Sequence, residues 1–161
     1  MTHWINVDSS LLPPPSCSQA DSLLSILISD GFRLSDWIVD IYKHHKFMPI
    51  DKDHSVHRIK LSDLGFSTPT SLLEFYRRAL DEGYYLLSPL AALWLRKLYL
   101  NQPVGEWLRI AVPLDLMIDS DGVPHLPKLG FALNKYYLET YWAYPQAVFH
   151  PHNEFAFGCR E

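Results

Sequence analysis

The chain changes character at residues 101–112, which read NQPVGEWLRIAV. The first five of these residues are rich in Asn, Pro and Gly and indicate a turn. From Glu106 onward, branched aliphatic side chains occupy every second position, as they do along a strand with one buried face. The two faces of that strand carry different sets: Leu108, Ile110 and Val112 on the apolar face, and Trp107, Arg109 and Ala111 on the other.

Upstream of this turn, residues 18–100 are predicted to be mainly helical. Apolar residues recur at helical spacing in four segments, each with a start or stop signal. The predicted helices are Ser18 to Asp30, Ser35 to the residues before Phe47, Ser71 to Gly83, and Ser88 to Leu100. A polar loop is expected from Asp51 to His57, followed by a short strand to Leu61. Residues 1–17 include three consecutive prolines, Pro13 to Pro15, and are expected to form an extended lead-in.

Downstream of the turn, residues 106–160 favour antiparallel strands. Asp121-Gly122 is a hairpin signal, while Pro124 and Pro127 predict an edge or irregular strand after it. Further strand patterns follow at residues 136–144 and 155–157. The sequence therefore predicts one α+β domain over residues 1–161, with N-terminal helices packed on a C-terminal antiparallel meander of about three to four strands.

Composition limits the function classes. Of the 161 residues, 48% are apolar, 20% are charged and the net charge is −4, so we expect no nucleic-acid partner. The apolar runs are shorter than the ~20 residues that a membrane helix needs, so we expect no membrane span. Residues 1–10 lack the cationic start of a secretory signal. A cytoplasmic protein is the expectation.

Histidines suggest one candidate metal site. Asp51, Asp53, His54 and His57 offer two carboxylates and two imidazoles within one predicted loop. Their spacing matches no established metal motif, so the favoured interpretation is that they are solvated loop residues. We therefore predict no metal, and keep this set as the alternative.

Two other features, a cysteine and an acidic segment, are candidate functional sites. Cys17 precedes a predicted helix, where the helix dipole can activate a thiol, although no family-type flanking sequence surrounds it. An ordinary thiol is the favoured interpretation. The acidic segment from Asp115 to Asp121 lacks the spacing of an EF-hand calcium loop, and hairpin turn chemistry explains it better.

Aromatic residues crowd the predicted strand at residues 136–144. Alternation puts half of them outward, and exposed Tyr and Trp are enriched at binding surfaces. We predict a binding surface formed by Tyr137, Tyr141, Trp142 and Tyr144. The alternative is that helices and loops bury these rings in the core.

Several stretches resemble blocks in a group of uncharacterised bacterial proteins. They are residues 61–66, the helix that ends at Gly83, residues 86–89 and residues 101–111, so the resemblance covers about residues 57–160. It implies a bacterial cytoplasmic protein, in which the helices before Asp51 are an addition. No activity is known for that group, so no functional residue is carried over.

The sequence thus predicts a protein-binding or accessory module without a cofactor, acting through its aromatic surface, rather than an enzyme. A homo-oligomer formed through the same surface is a further expectation. The acidic balance favours a partner with basic patches. The alternative is a small enzyme, either a metal-dependent hydrolase using His54 and His57 or a cysteine enzyme using Cys17.

Overall fold

The computed structural model of the protein describes residues 3–7, 19–48 and 54–160. Within these residues the helices are α1 (Gln19–Ser29), α2 (Asp36–His44), α3 (Leu72–Asp81) and α4 (Pro89–Leu98), with a 3-10 turn at Leu61–Leu64. None of these helices is long and apolar enough to cross a membrane. The proline-rich residues 8–17 of the predicted lead-in lie outside the described part of the chain.

Serine caps define the starts of three helices, as the sequence predicts. The hydroxyl oxygens of Ser35, Ser71 and Ser88 each accept a hydrogen bond from a backbone N–H in the first turn of α2, α3 and α4. Such caps satisfy donors that the helix itself leaves unpaired. Pro89 at the first position of α4 has no N–H to leave unpaired.

Ten strands accompany the helices in the described residues. They are β1 (His3–Val7), β2 (Arg33–Leu34), β3 (His54–Lys60), β4 (Thr70–Ser71), β5 (Tyr84–Tyr85), β6 (Trp107–Ile110), β7 (His125–Ala132), β8 (Lys135–Trp142), β9 (Val148–Phe149) and β10 (Glu154–Cys159). The main sheet has the order β1-β3-β10-β6-β7-β8-β2, and β5 pairs with β10 beside β6. Strands β4 and β9 form a separate ribbon.

The α+β class is confirmed, but the predicted antiparallel meander is wrong because the sheet is mixed. Strand β10 runs parallel to β6, and β2 runs parallel to β8. Strands β1, β2, β3 and β5 also bring the N-terminal part of the chain into the sheet. The expected loop from Asp51 to His57 is wrong from His54 onward, since β3 begins there and pairs with β1 and β10.

Strand β7 is regular, although Pro124 before it and Pro127 within it predicted an irregular or edge strand. It lies between β6 and β8, and Pro127 pairs in register with Thr140 of β8. Pairing with β6 stops at Lys128, so Pro127 has a strand neighbour on one side only. That local edge tolerates a residue without an N–H.

Helices cover the sheet unequally. Phe75 of α3 packs on Phe155 and Phe157 of β10, with ring centroids 5.0 and 5.5 Å apart. Helices α2 and α4 pack against β7 and β8 from the other side, where Arg96 of α4 lies over the ring of Tyr136. The remaining face, formed by β6, β7 and β8 on the side away from α2 and α4, carries large side chains that are half-buried or exposed.

Candidate functional site

Strand register brings an aromatic and cationic set of side chains onto that remaining face. Arg109 of β6 pairs with Lys128 of β7, and the same face continues on β8 at alternate residues. We call this surface the open face and define it by Trp107, Arg109, Lys128, Tyr137 and Tyr141.

Both cations of the open face lie on aromatic rings. The ammonium of Lys128 is 4.5 Å from the ring centroid of Trp107 and 5.7 Å from that of Tyr141. The guanidinium carbon of Arg109 is 5.6 Å from the centroid of Tyr141 and 5.3 Å from that of Phe149. Such contacts hold a cation in place by the ring quadrupole without neutralising its charge.

Neither cation forms an ion pair with a carboxylate of the described residues. Glu139 occupies the position opposite Lys128 on β8, yet their side chains form no ion pair. Burial lowers the pKa of the Lys128 ammonium, with Glu139 opposing and Arg109 adding to this effect. Burial also lowers the pKa of the Arg109 guanidinium. Two half-buried positive charges thus lie side by side, an arrangement that an anion would stabilise.

The aromatic part of the open face is shaped by a glycine. The indole of Trp107 lies directly over Gly130, its register partner on β7, where any Cβ would clash with the ring. Behind this point the fully buried Arg96 donates to the carbonyl oxygens of Gly130 at 3.0 Å and Tyr137 at 3.1 Å. Burial lowers the pKa of Arg96 to about 10. The backbone beneath the open face is therefore anchored to α4.

The four aromatic residues predicted as a binding surface divide between different sides of the sheet. Tyr141 is 40% exposed and, with the half-buried Tyr137, belongs to the open face. Trp142 is 64% exposed and projects to the other side, since neighbouring residues alternate along β8. Tyr144 is exposed and follows β8.

Most residues of the alternative enzyme sites lie outside the part of the chain that the structure describes. Asp51, Asp53 and Cys17 lie outside the described residues, and for His54 only the backbone is described. The ring of His57 packs near Tyr84, with centroids 6.2 Å apart. Among the described residues no group of three or more His, Cys, Asp or Glu side chains is placed to hold a metal ion. The metal and cysteine hypotheses stay predictions.

A buried polar cluster lies at the turn between β6 and β7. The Asp119 carboxylate accepts the backbone N–H groups of Asp121 and Val123 at 2.8 and 3.0 Å. It also lies 2.8 Å from Nε2 of His125, whose Nδ1 is 2.9 Å from Oγ1 of Thr140. This is the turn chemistry predicted for the acidic segment, with Asp119 engaged by internal donors.

Sequence reasoning placed Arg109 beside Trp107 on one strand face but did not recognise Arg109 and Lys128 as site residues. Their proximity depends on the register of β6 with β7, which no local pattern specifies. The net charge of −4 also hides a local positive pair. The signal available in the sequence was an Arg on the non-apolar face of a strand that leads into a hairpin.

Comparison of the chain with protein-family models, curated proteins and solved structures found no match. The resemblance to uncharacterised bacterial proteins therefore stays a prediction. The function has to be inferred from the chemistry of the open face.

Proposed function

We propose that the protein is a binding module whose open face docks an acidic segment of another protein. The observation that carries the proposal is the pair Arg109 and Lys128, which share this face without a carboxylate partner among the described residues. An incoming carboxylate would gain a charge-assisted hydrogen bond and relieve the repulsion between the two cations.

The rings around the cations supply the contact area. Tyr141, Tyr137 and Trp107 present large, rigid side chains that lose little conformational entropy when a partner covers them. Trp107 is held against Gly130, and the backbone of Tyr137 is held by Arg96, so this surface is formed before binding. Preorganisation of this kind increases affinity by reducing the cost of ordering.

The local charge points to a different partner from the one that the net charge favoured. A net charge of −4 suits a partner with basic patches, whereas on the open face Arg109 and Lys128 outweigh the carboxylate of Glu139. Because contacts form locally and charges beyond about 8–10 Å are screened at physiological salt, the open face sets the preference.

Two other occupants fit the open face less well. Two cations are few for the backbone of a nucleic acid, which the acidic remainder of the chain repels. A symmetric dimer whose two-fold axis passes near Arg109 and Lys128 would bring four positive charges together. An acidic segment of a different protein meets neither obstacle.

The test is selection of a random displayed peptide library against the purified protein. We expect the selected peptides to be rich in Asp and Glu, and the double variant Arg109→Gln, Lys128→Gln to bind them about tenfold or more weakly, a loss of ~1.4 kcal/mol. The control variant Lys43→Gln, Lys97→Gln removes the same charge from α2 and α4 and should bind as the wild type does.

Aromatic variants locate the binding side. Tyr141→Ala should weaken the selected peptides, whereas Trp142→Ala, on the other side of β8, should not. The proposal is wrong if the selected peptides lack acidic residues, if Trp142→Ala alone abolishes binding, or if a single-stranded oligonucleotide competes more strongly than the peptides do. A symmetric dimer lost in the Arg109→Gln, Lys128→Gln variant would contradict it as well.

A further inference from the structure

A small pocket adjoins the open face at the amino ends of the parallel strands β6 and β10. Its volume is ≈ 280 Å³, and its lining includes Trp107, Arg109, His152 and Asn153. Pockets for whole small molecules are usually about 300–1,000 Å³, so this one is sized for a functional group of a larger ligand.

Hydrogen-bond donors line the pocket. Arg109 is one of the lining residues, and its Nε is buried without a hydrogen-bond partner in the described residues. The side-chain oxygen of Asn153 accepts the backbone N–H of His150 at 2.8 Å, which leaves its amide NH₂ group to donate elsewhere. These groups suit an oxygen ligand with several lone pairs.

A wall of the pocket that carries two glutamates limits how negative that ligand can be. Glu106 and Glu154 also line it, and both carboxylates are held by the single guanidinium of Arg58. Two negative charges against one positive charge leave a net −1 in this wall, while Arg109 adds +1. These four groups sum to zero before a ligand binds, so a monoanion brings the total to −1 and a dianion brings it to −2, which the site opposes more strongly.

We infer that this pocket binds a single carboxylate group of the docked segment and discriminates against phosphoryl groups. The inference rests on the proposed function, because Arg109 belongs to both the pocket and the open face. A carboxylate matches the planar fork of an arginine in two parallel hydrogen bonds, and Asn153 can donate a third.

The test compares acetate with methyl phosphate, two small probes that carry one methyl group each. NMR titrations at about pH 7.5, where a phosphomonoester with a second pKa of about 6 is mainly dianionic, are run at constant ionic strength. We expect acetate to shift the side-chain NH₂ signals of Asn153 and the indole N–H signal of Trp107 in a saturable manner. Methyl phosphate should bind about tenfold more weakly, since it carries the second charge.

Two substitutions connect the signal to the pocket. Arg109→Lys keeps the charge but loses the planar fork, so acetate affinity should fall about tenfold. Lys97→Gln, a charge removal on α4, should leave it unchanged. An absence of saturable acetate shifts, equal or tighter binding of methyl phosphate, or full acetate affinity in Arg109→Lys would overturn the inference.

The acetate titration and the peptide selection distinguish an error in the carboxylate subsite from an error in the proposed docking function. If acidic peptides bind through Lys128 and Tyr141 but acetate does not enter the pocket, the docking surface stands and the carboxylate subsite is wrong. If acetate binds at Arg109 and no acidic peptide is selected, the subsite exists but the proposed docking function is wrong.

Discussion

The carboxylate of Asp119 organises the turn before β7 through three donors. It accepts the N–H groups of Asp121 and Val123, and it pairs with His125, which is 1% exposed. Because a carboxylate can only accept, Nε2 of His125 carries the proton of this hydrogen bond. The hydrogen bond from His125 is the largest of the effects that hold the pKa of Asp119 below its usual value.

This shift gives a pH-dependent prediction. A carboxyl group whose pKa is lower in the folded protein stabilises the fold above its unfolded pKa of about 3.9, and that stabilisation is lost as the pH falls toward the folded pKa. The variant Asp119→Asn should therefore be less stable than the wild type at pH 7. The difference in unfolding free energy, measured with urea, should shrink below about pH 4. A difference that stays constant with pH would contradict this role of the charge.

The secondary-structure features that depend on residues close together in the sequence were predicted from it. The caps of α2, α3 and α4 depend on residues within one helical turn, and each serine does accept the first-turn N–H. The pairing of β10 with β6 and of β2 with β8 depends on residues far apart in the chain, so local patterns could not show that those pairs are parallel. Tyr137 and Tyr141 stood out as aromatic residues, but the cations beside them required the register.

Strand β7 offers a prediction about how the open face is shaped. Gly130→Ala places a methyl group where the indole of Trp107 lies and should displace the ring. The backbone at Gly130 has no positive φ, so alanine causes no backbone strain there and the conflict is with the indole. Such overpacking costs about 1–3 kcal/mol of stability. We expect acidic-peptide affinity to fall as well, because Lys128 lies over that indole. Isothermal calorimetry with a selected peptide measures the affinity.

The control for this variant is Gly158→Ala in β10, where the ring of Tyr85 covers the glycine in the same way. It should lose a similar amount of stability and keep its peptide affinity, because it is not part of the open face. If both variants bind the peptide equally well, the position of Trp107 does not matter for docking.

At the scale of the whole molecule, Arg58 joins parts of the chain that are distant in sequence. From β3 it donates to Glu154 of β10 at 2.8 Å, to the hydroxyl of Tyr99 after α4 at 2.6 Å, and to Glu106 before β6. Burial by itself lowers the pKa of Arg58, but hydrogen bonds to Glu154 and Glu106 outweigh it and the pKa is raised. One guanidinium thus connects two strands, the residue before a third strand and the end of a helix.

Replacing Arg58 should destabilise the fold and change the pocket together. The ion-paired side chains of Arg58, Glu106 and Glu154 are between 20% and 23% exposed. Removing one partner of a fully buried pair costs roughly 3–5 kcal/mol, so we expect about half of that for Arg58→Leu.

The exposed pair Arg78–Glu82 provides the control, since Arg78→Leu should cost less than ~1 kcal/mol. Arg58→Leu also leaves the pocket wall with two uncompensated carboxylates, so it should weaken acetate binding even though Arg58 is not a pocket residue. Adding Glu106→Gln should restore part of both the stability and the acetate affinity. Recovery of stability without recovery of acetate affinity would mean that the charge of this wall does not govern what the pocket accepts.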